Sequence, residues 1–156
     1  MNKALIALVA VAALGAFDGA AAQNTRDQTE LLISQIQTDK RAVVLQAMNL
    51  SDAELKKFGP IYDQYQVEMK GIMQRSSDVI TKFANSYGSM TDDAAKSIMK
   101  DFFKVRDERN ALVKKYAGKF DKVLPTTKVL RWVQVENRLN ALLDVQAASI
   151  VPLSGG

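Results

Sequence analysis

The feature that most constrains this chain is an apolar stripe at helical spacing, thirty residues long. Phe58, Tyr62, Tyr65, Met69, Ile72, Val79, Phe83 and Tyr87 follow one another at steps of three, four or seven, and Ser76 fills the one polar gap. An α-helix turns once in 3.6 residues, so these side chains share one face. A stripe of that length is not buried by a short surface helix. It demands a long helix packed along a neighbour of similar length.

The start of that helix is marked unusually well and then disturbed. Ser51 followed three residues later by Glu54 forms a capping box, in which each side chain satisfies a backbone N–H of the first turn. Asp52 adds negative charge at the positive end of the helix. Gly59-Pro60 then falls only two turns inside. Proline lacks the N–H that would bond the carbonyl of Lys56 and crowds that carbonyl, which kinks a helix or splits off its first turns. Phe58, Tyr62 and Tyr65 nevertheless carry the stripe across the disturbance. The expectation is a bend near Gly59-Pro60, either within one helix or between a short capped turn and the long helix.

The flanking segments read as helix too. Leu32, Ile36, Val43 and Ala47 give an amphipathic first helix from about Asp27 to Met48, ended by Asn49-Leu50. Gly88 predicts a helix stop in the left-handed conformation that glycine tolerates, and Thr91 with Asp92 and Asp93 predicts a new N-terminus. The third helix carries Ala95, Ile98, Phe102, Val105, Leu112, Tyr116 and Phe120, with Ala94, Met99, Phe103 and Val113 as flankers. Leu124-Pro125-Thr126-Thr127 ends it and opens the fourth, with proline in the first turn and threonine as cap. Trp132, Val135, Leu139 and Leu142 continue that helix until Pro152 stops it. Glu136-Asn137-Arg138 sets polar groups inside an apolar segment, so one of them is expected to act as a buried bond-maker that fixes register between helices. No alternating strand pattern of useful length occurs. The expected fold is all-α, with four helices of which the second and third are longest.

Composition narrows the setting. Lys3, the apolar run Ala4 to Phe17 and Ala20-Ala21-Ala22 follow the plan of a secretory signal peptide cut before Gln23. That run is shorter than the roughly 20 residues a membrane span needs. Cleavage after Ala22 leaves 134 of the 156 residues, enough for one domain with a real core. The organisation is therefore a signal peptide at 1–22, a single helical domain at 23–150 and a flexible tail at 151–156. The expected location is the periplasm, and the expected chain is soluble, without stable membrane insertion. Cysteine is absent, so packing alone holds the domain. Histidine is absent as well, which removes most nucleophile–base pairs and the His/Cys type of zinc site. Carboxylates such as Asp92-Asp93 and Asp107-Glu108 lie among lysines and arginines, as on a solvated helix face. Met69 and Met73 stand one turn apart, a spacing open to Cu(I), but Met69 belongs to the core stripe, where methionine is ordinary filler. No catalytic residue, metal ligand or cofactor is assigned, and the chain is not read as an enzyme. The net charge of +4 is mild. It favours acidic partners and is too diffuse for a nucleic-acid binder.

Leu50-Ser51-x-x-Glu54 leading into Phe58-x-Pro60-x-Tyr62-x-x-Tyr65 resembles the LTxxQ-type motif of the Spy/CpxP family of periplasmic helical proteins. Leu124-Pro125-Thr126-Thr127-Lys128, with Arg131-x-x-Gln134-x-Glu136-Asn137, is similar to the second such motif. Two positions depart from the pattern: Glu54 replaces the usual Gln, and Lys128 stands where the second Gln would be. Glu54 can still complete a capping box, whereas Lys128 cannot do the same job. The resemblance implies a four-helix chain that pairs into a curved homodimer. It implies ATP-independent chaperoning of unfolded envelope proteins, a stress-protection role. The alternatives it leaves open are restraint of an envelope sensor kinase and a metal-binding stress protein. Leu50, Ser51, Glu54, Leu124, Thr126 and Thr127 are the motif and helix-capping residues. Phe58, Tyr62, Tyr65, Arg131 and Trp132 are the candidate partner-binding residues.

Overall fold

The computed structural model describes residues 39–154. The segment 1–22 that reads as a signal peptide, the part of the expected first helix before residue 39 and the last two residues of the chain lie outside them. Among the described residues the fold is all-α, with four helices and no strand. Helix α1 spans 39–48, α2 Asp52–Ser86, α3 Asp92–Phe120 and α4 Thr126–Ile150. No helix among the described residues is long and apolar enough to cross a membrane.

Helices α2 and α3 contain 35 and 29 residues, which at 1.5 Å per residue makes them about 52 and 43 Å long. They form an antiparallel hairpin whose register is written in charge. Glu68, Arg75 and Lys82 recur every seven residues on α2 and bond Lys115, Glu108 and Asp101, which recur every seven residues on α3, each at 2.7 Å. Glu68, Lys82, Asp101 and Lys115 each stand immediately before a stripe residue, where coiled coils place interhelical ion pairs. Along α2 the signs run negative, positive, positive, and α3 carries the complement. A slip of one heptad would set Arg75 against Lys115, or Glu68 against Glu108.

The core lies at the end of the hairpin away from its tip. Phe58, Tyr62, Tyr65, Met69 and Ile72 of α2 meet Leu112, Tyr116 and Phe120 of α3, Leu124, Val129 and Trp132 around the start of α4, and Val44 and Met48 of α1. Aromatic rings dominate it. Phe58 stacks on Phe120 at 4.7 Å between centroids, and Trp132 meets Phe120 and Tyr65 edge-on. Offset and edge-to-face contacts of this kind add to area burial. Helix α4 returns along α3 and is clamped there by Arg109, whose two Nη atoms bond both oxygens of Asp144 at 2.8 and 2.9 Å.

At one boundary the structure selects between the sequence alternatives, and two others differ from the expectation. Helix α2 runs without interruption across Gly59-Pro60, so no short turn is split off before the long helix. Phe58 and Tyr62, on either side of Pro60, are fully buried. Their packing outweighs the single hydrogen bond the proline removes, and the exposed proline ring faces away from the core. Gly88 does not take the left-handed conformation: Tyr87–Ser89 tighten into a 3-10 turn instead. The left-handed residue is Asn49, with φ 47°, at the end of α1, a position asparagine tolerates. Finally, α4 has Pro125 as its N-cap and no side-chain cap. Thr126 is thereby drawn one residue into the helix, and its hydroxyl donates to Asp121 at 2.8 Å. Neither Thr126 nor Thr127 caps the helix, because proline occupies the position where a hydroxyl would reach back to the backbone.

Candidate partner-binding surface

Both motif segments meet at one corner of the molecule. The capping box of α2 is complete: the Ser51 backbone N–H donates to Glu54 Oε2 at 2.8 Å and the Glu54 backbone N–H donates to Ser51 Oγ at 3.4 Å. The backbone hydrogen bond from Ser51, then its side chain, holds the Glu54 carboxyl below the usual range. Lys128 reaches across from α4 to Glu54, at 3.8 Å, and donates to the carbonyl of Asn49. Arg131 donates to the carbonyl of Ala47 at 2.6 Å. The last turn of α1 exposes carbonyls that no helix bond satisfies, and two cations from α4 cap them. The two departures from the motif are therefore partners, a carboxylate and an ammonium replacing two amides. Leu50 packs against the core and Leu124 is buried in it.

Buried polar chemistry centres on Glu136, which has no exposed surface. Its carboxylate accepts from Tyr65 Oη at 2.7 Å and Tyr62 Oη at 3.4 Å and pairs with Lys40 Nζ at 2.6 Å. Burial first, and then the Glu136 carboxylate, push both phenols well above their ordinary value, so both remain donors. Glu136 is the bond-maker expected within Glu136-Asn137-Arg138. It joins α1, α2 and α4.

Of the sequence-predicted partner-binding residues, Phe58, Tyr62, Tyr65 and Trp132 are fully buried, and Arg131 is tied to α1. The structure brings them together as core and cap: the four aromatic residues offer no surface to a partner in this conformation, and Arg131 stays exposed while bonded to α1. The stripe period marks a face as apolar; it does not tell a core face from a docking face.

One exposed apolar face lies on the other half of the hairpin, on α3; Val67 of α2 and Leu130, Leu142 and Val145 of α4 are exposed as well. Met99, Phe102 and Phe103 are 52, 44 and 60 % exposed. With Arg106 they recur at positions that share one face of α3. The two phenylalanine rings meet edge-on at 5.6 Å, and the Arg106 guanidinium lies 5.4 Å from the Phe102 centroid. Lys96, Lys100, Lys104 and Arg106 flank this face, and acids flank it too: Lys96 lies 4.0 Å from Asp93, Lys104 4.0 Å from Glu108 and Arg106 3.8 Å from Asp144, while Asp101 is bonded to Lys82. The face is thus apolar at its centre, with a basic rim partly offset by neighbouring acids. The sequence does carry a signal for it: two adjacent phenylalanines cannot both lie on a stripe of three- and four-residue steps, so one must turn outward. In the groove between α2 and α3 nearby, charges are already spent on each other, Arg75 on Glu108 and Lys82 on Asp101. Among the described residues no group of three or more acidic, histidine or cysteine side chains is placed to hold a metal ion.

Comparison with protein-family models, curated proteins and solved structures finds no match to this chain.

Proposed function

We propose that this chain is an exported, ATP-independent chaperone-like protein of the periplasm that holds partly unfolded envelope proteins, in the manner of the Spy/CpxP family it resembles. The observation that carries the reading is the face of Met99, Phe102 and Phe103 with its basic rim. Contiguous exposed apolar surface on a folded chain marks a site of interaction. An open, shallow face suits tolerant binding of many sequences, because adaptable contacts repack around different partners. The basic rim favours clients that carry acidic residues and speeds their encounter. The LTxxQ-like corner has a different part in this reading: it fixes the junction of α1, α2 and α4 and leaves the hairpin arm free to present its surface.

The test is suppression of aggregation. A chemically denatured client diluted into several-fold excess of the purified protein is expected to scatter less light than the client alone. Phe103→Glu is expected to lose most of that suppression while keeping its helical circular dichroism, because Phe103 is more than half exposed and lies outside the core. Unchanged aggregation with the wild-type protein would sink the reading. Full suppression by Phe103→Glu would move the holding surface elsewhere.

A further inference from the structure

Helix α3 carries two rows of charge at heptad spacing. Asp101, Glu108 and Lys115 face α2 and are paired with it. Asp93, Lys100, Asp107 and Lys114 also recur every seven residues, on the adjacent face, and all four are exposed. Residues seven apart stand about 10 Å apart along a helix, so the four cannot pair with one another. Among the described residues Lys100, Asp107 and Lys114 have no ion pair, and Asp93, with its side chain 98 % exposed, has only Lys96 at 4.0 Å. Their signs run negative, positive, negative, positive, so the row read backwards is its own complement. Met99 and Phe103, 52 and 60 % exposed, lie along the same side of the helix. The midpoint of the row falls beside Phe103.

We propose that, between clients, this face is covered by a second copy of the chain, paired antiparallel through α3. A two-fold contact presents one patch to itself, so the patch must be self-complementary. About an axis beside Phe103, Asp93 of each copy stands opposite Lys114 of the other, and Lys100 opposite Asp107. A slip of one heptad in either direction, or a parallel alignment in register, sets like charges together instead. The same axis brings the two Phe103 side chains together, with Met99 on either side, so the apolar centre is covered. Lys96, Lys104 and Arg106 lie near the face as well, and each has an acid of its own chain at 4.0, 4.0 and 3.8 Å, which blunts their mutual repulsion. The contact follows one helix face for about 32 Å. That is less surface than a permanent dimer buries, and exposed ion pairs contribute little each, so the pair is weak and reversible. Its consequence rests on the client-holding reading above: pairing shields Met99 and Phe103 between encounters, and a client competes with the second copy. The pair is thus a resting form that hides the holding face, not a dimer that works on clients together.

The test is sedimentation velocity on the purified chain without client, from micromolar to near-millimolar concentration. The wild-type protein is expected to pass from monomer to dimer, and to do so less readily in high salt. Lys100→Glu sets two acids together at both symmetric positions and is expected to raise the dissociation constant at least about tenfold. Asp107→Lys sets two lysines together and is expected to do the same. In an equimolar mixture of the two variants every opposite pair is restored in the mixed dimer, and association is expected to return to within about threefold of wild type. Regained association in the mixture also shows that both variants are folded. A wild-type chain that stays monomeric throughout would overturn the proposal. So would single variants that associate like the wild type, or a mixture that associates no better than either variant alone. Client holding is measured separately, at a concentration where the wild-type chain is mostly paired. Both single variants are then expected to suppress aggregation better than the wild type, although they change the charge of the rim in opposite senses. Equal suppression would overturn the covering role. If association follows the charges while no form of the chain holds a client, the pairing stands and the holding reading falls.

Discussion

A carboxylate without exposed surface costs several kcal/mol to place in a protein interior unless its oxygens are fully bonded. Glu136 meets that condition with one ammonium and two phenols, contributed by three helices. The two phenols are unequal. Tyr65 bonds at 2.7 Å and Tyr62 at 3.4 Å. Hydrogen bonds to charged groups contribute about 1.5–3 kcal/mol, and the long one belongs below that range. Tyr65→Phe is therefore expected to destabilise the fold by about 2 kcal/mol, and Tyr62→Phe by clearly less. Urea unfolding followed by circular dichroism measures both. Equal losses would mean that the two phenols bond Glu136 alike. That one member of Glu136-Asn137-Arg138 is buried was legible from the polar interruption alone. That the acid is the buried one was not, because its partners stand 74, 71 and about a hundred residues away.

At the scale of elements, the helices were readable from apolar periodicity, and capping chemistry agrees with it at the starts of α2 and α3 but not of α4. The capping box at Ser51 and Glu54 and the cap at Thr91 are formed as their sequence patterns require. Where local signals conflicted, packing decided: Gly59-Pro60 does not divide α2, since the stripe on both sides is anchored in the core. The register of the α2–α3 hairpin is favoured by its three heptad-spaced ion pairs. Each is exposed and contributes at most about 1 kcal/mol, so their value lies in excluding the slipped alignment. Lys115→Glu is expected to lower the melting temperature by placing two acids together. Adding Glu68→Lys is expected to restore it, as a double-mutant cycle shows for paired sites. If the double variant is no more stable than Lys115→Glu alone, the charges do not set the register.

Over the whole molecule, stability is divided unevenly. The aromatic core at one end holds all four helices, while the tip half of the hairpin presents Met99, Phe102 and Phe103 to solvent. Charge joins the parts, and this makes the fold sensitive to acid. The Glu54 carboxyl is held low by the Ser51 backbone, Glu68 by Lys115 and Tyr116, Asp101 by Lys82 and Asp144 by Arg109. A group whose pKa is lower in the folded chain contributes stability that is complete above its unfolded value and is lost as pH falls through the folded one. Unfolded carboxylates titrate near pH 4. The melting temperature is thus expected to be level from about pH 6 to 8 and to drop below about pH 4.5. The buried phenols have the opposite sign. Their raised values remove stability as pH rises past about 10. A melting temperature that rises between pH 5 and 3 would contradict the acid-side expectation.

Periodicity, caps and the missing strand pattern were enough to specify an all-α chain of four helices with two long central ones. These are local properties, set by spacing along one chain. Which apolar faces become core was decided only in three dimensions. The stripe of α2 continues toward the tip, but burial ends where α1 and α4 cease to contribute buried side chains, and Phe102, a member of the α3 stripe, is left 44 % exposed. Equally, Phe58, Tyr62, Tyr65 and Trp132 are aromatic in any reading, yet only the return of α4 and the seating of α1 make them interior. A helix reports from its sequence that it has an apolar face. The number of neighbours that reach that face depends on where the rest of the chain ends.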